Sequence, residues 1–529
     1  MITIISGLIG IDYGEHWDEH YVTRGLSNSI MTLTFIPNTY FYSGMYFNMG
    51  YLAMAGDFLD LLEKSYGEVS RAPLYTFDLA KYPAIMKAQT AMLIKLRGNE
   101  FKLRLRSMYV VFSALSVLIM YFAARGVRPG YLEPLAGAAL MALSWEINYH
   151  SRHIAIDNMM MVFGALVLLC VIRFSMRDPS SSGMRWLIIG SAAVGFAAGA
   201  KIIGVLLVVP IIASIVLYRH GHSAKAVLVS LAIVAIVFVG TLFFVSPGIF
   251  LDPIRMLNSY AYGSSQYGLN KAGIYYSYYA RPYFGQIPLM ILYFSETAFS
   301  HYKSVSLLLS AFALVGLTAI FREDRKLFLT IISFPMIYLF IFAGLKIMIV
   351  RNFLVVLPFM ALFVSRGIGE VYRRCSGYRS LHYALGAFIL CWVALNTFWL
   401  FDTAASVRSF ESKESISELS VYMKDNPDDI YYLSPRIWSE MMSSGLGEYA
   451  SLSGVTEGRK GEDLCALFLA EYPEEKWQAN RSGFFEHVVG SLEVNYDYYP
   501  TWVGNNYNSR IYVLSMEKAG KIGYNCHAR

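Results

Sequence analysis

The chain of 529 residues is 56% hydrophobic and only 16% charged. Soluble domains average about 25% charged residues, so this composition excludes an ordinary soluble protein and indicates one that crosses a membrane several times. The formal net charge of +6 is small for this length, and the basic residues are scattered, so no nucleic-acid-binding surface is predicted.

The first element is a short apolar run, Met1 to Ile11. A transmembrane helix needs about 20 apolar residues, and this run lacks the basic start and the small-residue cleavage site of a signal peptide. We therefore expect a shortened first transmembrane helix, with an interfacial helix as the alternative.

A dense acidic stretch, Asp12 to Tyr21, follows this run. It places four carboxylates and two histidines within ten residues. Ionisable side chains beside a membrane helix are costly unless they face water, a cation or a substrate. We therefore predict that this stretch is the reaction centre.

The region 12–106 is predicted to be a long outward loop. Two helical pieces within it, Met45 to Leu62 and Asp78 to Leu96, mix apolar with polar residues, and the second carries three lysines. Helices of this type lie on the bilayer surface. A loop with incidental helical turns is the alternative.

Ten long apolar runs come next. With the shortened first helix they predict a mainly α-helical, polytopic membrane protein with about 11 transmembrane helices. Several runs are short, which suits helices that are buried among neighbours and whose ends line a cavity. The runs are Met108 to Ala124, Leu132 to Ile147, Met159 to Ile172, Trp186 to Ala198, Ile202 to Leu217, Ala226 to Val245, Ser304 to Ile320, Leu327 to Leu345, Phe353 to Val364 and Tyr383 to Leu400.

Lysine and arginine in the short loops predict the orientation. When alternate loops are assigned to the cytoplasm, they collect most of the basic residues, and the acidic stretch then faces outward. Four basic residues lie instead in short outward loops, namely Arg152, Lys201, Lys346 and Arg351. A bound phosphate would explain them, and snorkelling or structural pairing at a helix end is the alternative.

Two further regions are predicted to face outward. The loop 246–303 is rich in tyrosine and carries Arg281, a pattern that anchors helices at the membrane interface or grips a sugar or lipid headgroup. From Asp402 onward polar composition and short strand-like runs predict a small α/β domain over residues 402–529. The five cysteines show no metal-binding spacing, and only Cys465 and Cys526 in this tail are candidates for a disulfide.

The acidic stretch supports two chemical interpretations. In the first, Asp18 is a general base that deprotonates an acceptor hydroxyl while a phosphate-activated sugar is attacked. Successive helical residues point about 100° apart, so Asp18 and Glu19 do not aim at one atom. In the second, His16, Glu19 and His20 match the H-x-x-E-H zinc-peptidase pattern, whose glutamate activates a metal-bound water. A polar loop that caps the first helix is a third reading.

The order of several segments also resembles a known family. Asp18-Glu19 followed by Tyr21 resembles the Asp-Glu motif of the GT-C glycosyltransferases, in the protein mannosyltransferase and aminoarabinose-transferase-like branch. The segment Pro37 to Tyr46 is similar to the Pro- and Tyr-rich stretch after that motif. Arg106 to Leu118 resembles the Arg-led second helix of the branch.

Three later segments extend this resemblance. Tyr149 to Asp157 looks like the Ser-Arg-x-x-x-x-Asp motif of the branch. Lys201 stands where the family usually carries a lysine at an outward break between two helices. Lys346 to Pro358 resembles the Lys-x-x-x-x-Arg-x-x-x-x-x-x-Pro segment.

The resemblance implies a transmembrane module over residues 1–401 that transfers a sugar, with inversion, from a polyprenyl-phosphate carrier to a lipid, glycan or protein acceptor. The reaction would take place on the periplasmic or extracellular side of a bacterial inner membrane. The implied catalytic residues are Asp18 as base, Glu19 beside it, and Asp157. Basic residues would stabilise the leaving phosphate. The predicted substrate-binding residues are Arg152, Lys201, Lys346, Arg351, Tyr42, His150 and Arg281.

No cofactor is predicted. A divalent cation at His16, Glu19 and His20 stays open, because the family does not require this histidine flank. The alternatives from other classes are a membrane zinc peptidase and a lipid-linked sugar transporter. A transporter would more often show paired repeats with broken helices, which the sequence does not.

Overall fold

The computed structural model describes most of the membrane-embedded part of the chain. The described residues are 1–11, 19–32, 44–60, 63, 83–176, 181–218, 223–268, 278–279, 282–296, 298–300, 302–345, 347–348, 350–409, 421, 430–433, 467–471 and 512–515.

Most of these residues are α-helical, with two 3₁₀ helices at Ile202–Leu207 and Val350–Val356. The α-helices are α1 (Ile2–Leu8), α2 (Glu19–Thr32), α3 (Gly44–Ala53), α4 (Pro83–Arg97), α5 (Asn99–Val127), α6 (Leu132–Ala142), α7 (Trp145–Ser151), α8 (Ile156–Ser175), α9 (Ser181–Ala200), α10 (Val208–Tyr218), α11 (Ala224–Val245), α12 (Gly248–Leu251), α13 (Pro253–Gly268), α14 (Gln286–Glu296), α15 (Lys303–Glu323), α16 (Arg325–Ala343), α17 (Leu357–Cys375) and α18 (Arg379–Ser409).

Eight helices in the described part of the chain are long and apolar enough to cross a membrane, which makes the protein an integral membrane protein. They lie at Asn99–Val127, Ile156–Ser175, Gly183–Ala200, Ala224–Val245, Lys303–Glu323, Arg325–Ala343, Val350–Cys375 and Arg379–Asp402. Three shorter apolar helices lie at Leu132–Ala142, Ile202–Tyr218 and Gln286–Ser295. The total of about 11 transmembrane helices stays a prediction.

Three of the predicted apolar runs contain breaks that the apolar pattern alone does not show. The run 132–147 is divided after α6, where the Ser144 hydroxyl accepts from the Ile147 amide and caps α7 (3.5 Å). The run that follows Lys201 begins as the 3₁₀ helix Ile202–Leu207. The run that contains Pro358 begins within the 3₁₀ helix Val350–Val356. These breaks put Lys201 and Arg351 at places where the helical backbone is interrupted.

A network of ion pairs connects the C-terminal half of α17 to the start of α6. Arg366, which is fully buried, donates to Glu133 at the start of α6 (2.9 Å), and Arg373 donates to the same carboxylate (2.6 Å). Arg373 also donates to Glu370 (2.9 Å). A buried charge needs such partners, so this network is a structural feature of that end of the bundle.

Helices α15 and α17 pack closely because glycine faces backbone at their crossing. A Cβ atom on Gly316 would overlap the Phe363 carbonyl oxygen, and one on Gly367 would overlap the Phe312 carbonyl oxygen. Each glycine therefore allows one helix backbone to touch the other.

Gly316→Val is expected to destabilise the protein by about 1–3 kcal/mol, because the helices must separate to admit the side chain. Thermal unfolding in detergent measures the effect. Gly240→Val is the matched control, since an added Cβ there meets no atom within 4 Å. An unchanged unfolding temperature for Gly316→Val would contradict the close crossing.

Short strands complete the described structure. β1 (Tyr278–Tyr279) pairs antiparallel with β2 (Ile347–Met348). β3 (Ile430–Leu433) pairs parallel with β4 (Leu467–Glu471), which pairs antiparallel with β5 (Tyr512–Ser515). The chain divides into two compact units, one of residues 1–269 with 278–404 and one of residues 270–277 with 405–529. The α/β domain over residues 402–529 stays a prediction.

Candidate active site

A buried ion pair fixes the beginning of α2. Arg106 of α5 donates from Nε to Glu19 Oε1 (2.9 Å) and from Nη2 to Glu19 Oε2 (2.7 Å). The exposed fractions of the two side chains are 1% and 4%. A two-point contact between arginine and a carboxylate fixes orientation as well as distance. The pair therefore holds the first turn of α2 against α5.

The same two side chains also bind backbone from two other segments. Arg106 Nη1 donates to the Ile11 carbonyl (2.7 Å), and the Ile154 amide donates to Glu19 Oε1 (3.1 Å). The Tyr46 hydroxyl donates to the Ile154 carbonyl (3.2 Å). The pair thus joins the end of the first apolar run, the start of α2 and the loop between α7 and α8.

A second cluster forms around Asp157, in the first turn of α8. Lys201 Nζ donates to Asp157 Oδ1 (3.0 Å), and Arg351 Nε lies 3.6 Å from Asp157 Oδ2. Lys201 Nζ also donates to Asn352 Oδ1 (2.6 Å), and the Asn352 carbonyl accepts from the Tyr338 hydroxyl (2.8 Å). One carboxylate thus faces two of the four basic residues predicted to bind phosphate.

The exposure of this cluster differs from one member to the next. Asp157 is 1% exposed and Arg351 is 7% exposed, whereas the Lys201 side chain is 19% exposed. An anion can therefore approach Lys201, where a low local dielectric strengthens its attraction. Because each oxygen of Asp157 faces a cation, this carboxylate is better suited to hold the cations in place than to accept a proton.

Arg152 and His150 lie on different faces of the α7 region. Arg152 Nη2 donates to the Ser6 carbonyl of α1 (2.9 Å). His150 Nε2 lies 3.5 Å from Glu146 Oε2, one turn earlier on the same helix. The structure thus brings Lys201 and Arg351 together at Asp157 and places Arg152 against α1.

Several predicted residues fall outside the described residues, namely Asp18, His16, Tyr42, Arg281, Lys346, Cys465 and Cys526. The side chain of His20 is likewise not described. The pairing of β1 with β2 nevertheless joins the tyrosine-rich loop to the segment that leads to Arg351. In the sequence, Arg281 follows β1 by two residues and Lys346 directly precedes β2.

The zinc-peptidase interpretation requires Glu19 to activate a water molecule. Both oxygens of Glu19 instead accept hydrogen bonds, from Arg106 and from the Ile154 amide. Among the residues described, no group of three or more His, Cys, Asp and Glu side chains is arranged to hold a metal ion. The geometry around Glu19 favours a positioning role for this residue.

Three residues of this region were missed by sequence reasoning. Asn352 and Tyr338 lie in or beside apolar runs, where one polar side chain gives no functional signal. Glu146 lies within the predicted run 132–147, and its spacing of four from His150 is the one signal that marks it, because residues at that spacing share a helical face.

Arg106→Leu is expected to lower the free energy of unfolding by about 3–5 kcal/mol, because it leaves the Glu19 carboxylate buried without its cation. Thermal unfolding in detergent measures the loss. The double variant Glu19→Leu with Arg106→Leu should recover most of it, since no charge is then left unpaired. If the losses of the two single variants simply add, the ion pair is not the reason for the effect.

Part of the chain matches the model of a known protein family. A family model described as dolichyl-phosphate-mannose-protein mannosyltransferase matches residues 70–259. This matched region contains Arg106, Asp157 and Lys201. No curated protein matches the chain.

The solved structures similar to the chain include two of ArnT from Cupriavidus metallidurans. The apo state has a TM-score of 0.50 at 11% sequence identity. The state bound to undecaprenyl phosphate has a TM-score of 0.51 at 10% identity. Each comparison covers 97% of this chain and 96% of that chain. The likeness establishes the fold, and with the family model it confirms the resemblance to the GT-C glycosyltransferases of the PMT-like branch.

Proposed function

We propose that this protein transfers a sugar from a polyprenyl-phosphate carrier to a lipid, glycan or protein acceptor. The observation that carries the proposal is the cluster of Lys201 and Arg351 around Asp157, which lies at two helix breaks. ArnT, whose fold the chain shares, has a form bound to undecaprenyl phosphate. A lipid phosphate of this class is the leaving group of the proposed reaction.

The reaction is a single displacement at the anomeric carbon. The acceptor oxygen forms a bond to that carbon while the bond from the carbon to the phosphate oxygen breaks. The acceptor proton passes to Asp18, which acts as general base. The polyprenyl phosphate departs with the bonding electron pair, and Lys201 and Arg351 stabilise the added negative charge. A displacement of this kind inverts the anomeric configuration.

The charge balance of the cluster suits an anionic leaving group. Lys201 and Arg351 supply two positive charges and Asp157 one negative charge, so the cluster carries a net charge of +1 (2 − 1). Asp157 holds the two cations in position before the phosphate binds. Charges that are already oriented do not need to reorganise during the reaction, which is how such sites lower a barrier.

The Glu19–Arg106 pair is proposed to position the base. Asp18 directly precedes Glu19 in the chain, so the contact that fixes Glu19 restricts where Asp18 can lie. In this account Glu19 and Arg106 are positioning residues, and Asp18 is the catalytic residue.

The proposed module spans residues 1–401, and residues 402–529 form a separate outward domain. The distribution of lysine and arginine among the short loops supports an active site that faces the periplasm or the cell exterior. Tyr42, Lys346 and Arg281 are proposed to complete the contacts to the lipid phosphate and the sugar.

A transfer assay with a panel of polyprenyl-phosphate sugars tests the function. Purified protein in detergent is incubated with each donor and with a membrane extract that supplies acceptors. We expect one donor to be consumed, with release of polyprenyl phosphate and appearance of the sugar on an acceptor. If the protein shows a cooperative thermal unfolding transition, and is therefore folded, but consumes no donor, the proposal is contradicted.

A further inference from the structure

Helix α7 and the turn that follows it have clear neighbours on two sides. The Ser6 hydroxyl of α1 donates to Asn148 Oδ1, and Arg152, which directly follows α7, donates to the Ser6 carbonyl. The rings of Tyr149 and His153 lie 5.1 Å apart, on the side of the helix near α2. These two faces hold α7 in place.

The third face carries Glu146 and His150, whose side chains are both 2% exposed. Glu146 Oε2 and His150 Nε2 are 3.5 Å apart. Within the described part of the chain, neither carboxylate oxygen of Glu146 and neither ring nitrogen of His150 has a hydrogen-bond partner. Buried polar groups in proteins are nearly always hydrogen-bonded. This face therefore has unused capacity for hydrogen bonds.

The helix that carries this pair adjoins the segment that carries one of the cations proposed to bind phosphate. The 3₁₀ helix Val350–Val356 packs against α7 and also carries Arg351. The sugar of a polyprenyl-phosphate donor is bonded directly to the phosphate, so a sugar site must adjoin the phosphate site.

We propose that Glu146 and His150 form the subsite that binds the donor sugar through its hydroxyl groups; this inference rests on the proposed function. A hydroxyl both donates and accepts. One hydroxyl can therefore donate to Glu146 and accept from the imidazole N–H of His150. An ammonium group can donate to Glu146 and to the bare imidazole nitrogen of His150, but it leaves the imidazole N–H without an acceptor. A polyhydroxylated ligand serves both the donor and the acceptors of this pair.

Glu146 and His150 are buried in the conformation described, so entry of the sugar requires movement of a neighbouring segment.

The test measures binding of two lipids to purified protein in detergent. The probes are sugar-free polyprenyl phosphate and the polyprenyl-phosphate sugar that the wild-type protein binds most tightly. Glu146→Leu and His150→Phe are each expected to weaken binding of the sugar-loaded lipid at least tenfold and to leave the sugar-free lipid within twofold. Thr330→Val is the control, because it removes a buried polar group elsewhere that also lacks a side-chain partner in the described chain.

A set of donor analogues, each of which lacks one sugar hydroxyl, makes the test sharper. In the wild type, loss of the hydroxyl that contacts Glu146 should weaken binding about 10- to 150-fold, the factor for a hydrogen bond to a charged group. In Glu146→Leu the same loss should have less than a threefold effect. If loss of each hydroxyl weakens donor binding equally in the wild type and in Glu146→Leu, the subsite is overturned.

The outcomes separate this inference from the proposed function. A wild-type protein that binds neither lipid contradicts the proposed function and the subsite with it. A wild-type protein that binds both lipids, with variants that weaken both equally or weaken neither, overturns the subsite alone. Unfolding temperatures of the variants show whether a lost affinity reflects lost folding.

Discussion

Asp18→Asn is expected to lower kcat for sugar transfer about 10²–10⁴-fold, which is the usual contribution of a positioned general base. Asparagine preserves the shape of the side chain but cannot accept the acceptor proton. Binding of the donor lipid should be retained, because the phosphate contacts proposed here come from other residues. The rate of polyprenyl phosphate release and the affinity for the donor measure the two effects separately.

The matched control for this prediction is Asp252→Asn, the same substitution in the predicted tyrosine-rich loop. Asp252 lies 3.3 Å from Arg255, three residues later, and both side chains are partly exposed. This variant should transfer at close to the wild-type rate. If Asp18→Asn lost donor affinity to the same extent as kcat, or transferred normally, Asp18 would not be the base.

Lys201→Met is expected to lower kcat about 10²–10³-fold, the effect of losing one preorganised charge at a developing anion. Methionine keeps much of the length and apolar volume of lysine but supplies no charge. The ratio of kcat to KM should fall with kcat, because the charge is needed most when the phosphate departs. Steady-state kinetics with the donor identified in the panel measures both parameters.

A second variant separates this catalytic loss from a loss of stability. Lys201→Met alone removes one cation from the buried Asp157 carboxylate, which costs folding free energy. The double variant Lys201→Met with Asp157→Asn removes the opposing charge as well and should unfold at a higher temperature than Lys201→Met. Transfer that recovers together with stability would show that Lys201 acts only as a structural partner.

Much of the helical architecture could be predicted from the sequence, because long apolar runs leave few alternatives in a membrane. The run Met108 to Ala124 lies within α5, and Met159 to Ile172 lies within α8. The division between α6 and α7 was not predicted, since Ser144 is a single capping residue inside an otherwise apolar run. Capping depends on local backbone geometry, which periodicity does not show.

The candidate site was only partly predictable. The distribution of lysine and arginine among the short loops indicated Lys201 and Arg351, which lie 150 residues apart in the chain. The structure brings both side chains to Asp157. The engagement of Glu19 by Arg106 depends on a contact across 87 residues, which spacing within the acidic stretch cannot reveal. The catalytic and binding roles assigned to the predicted residues stay predictions.

The most direct test of sugar transfer by this protein follows the sugar itself. A polyprenyl-phosphate sugar, isotopically labelled at its anomeric carbon, is incubated with the protein and an acceptor, and the products are analysed by mass spectrometry and NMR. We expect the label to appear on the acceptor with inverted anomeric configuration, and one polyprenyl phosphate to be released for each sugar transferred. Retention of configuration, or release of polyprenyl phosphate without a labelled acceptor, would contradict this expectation.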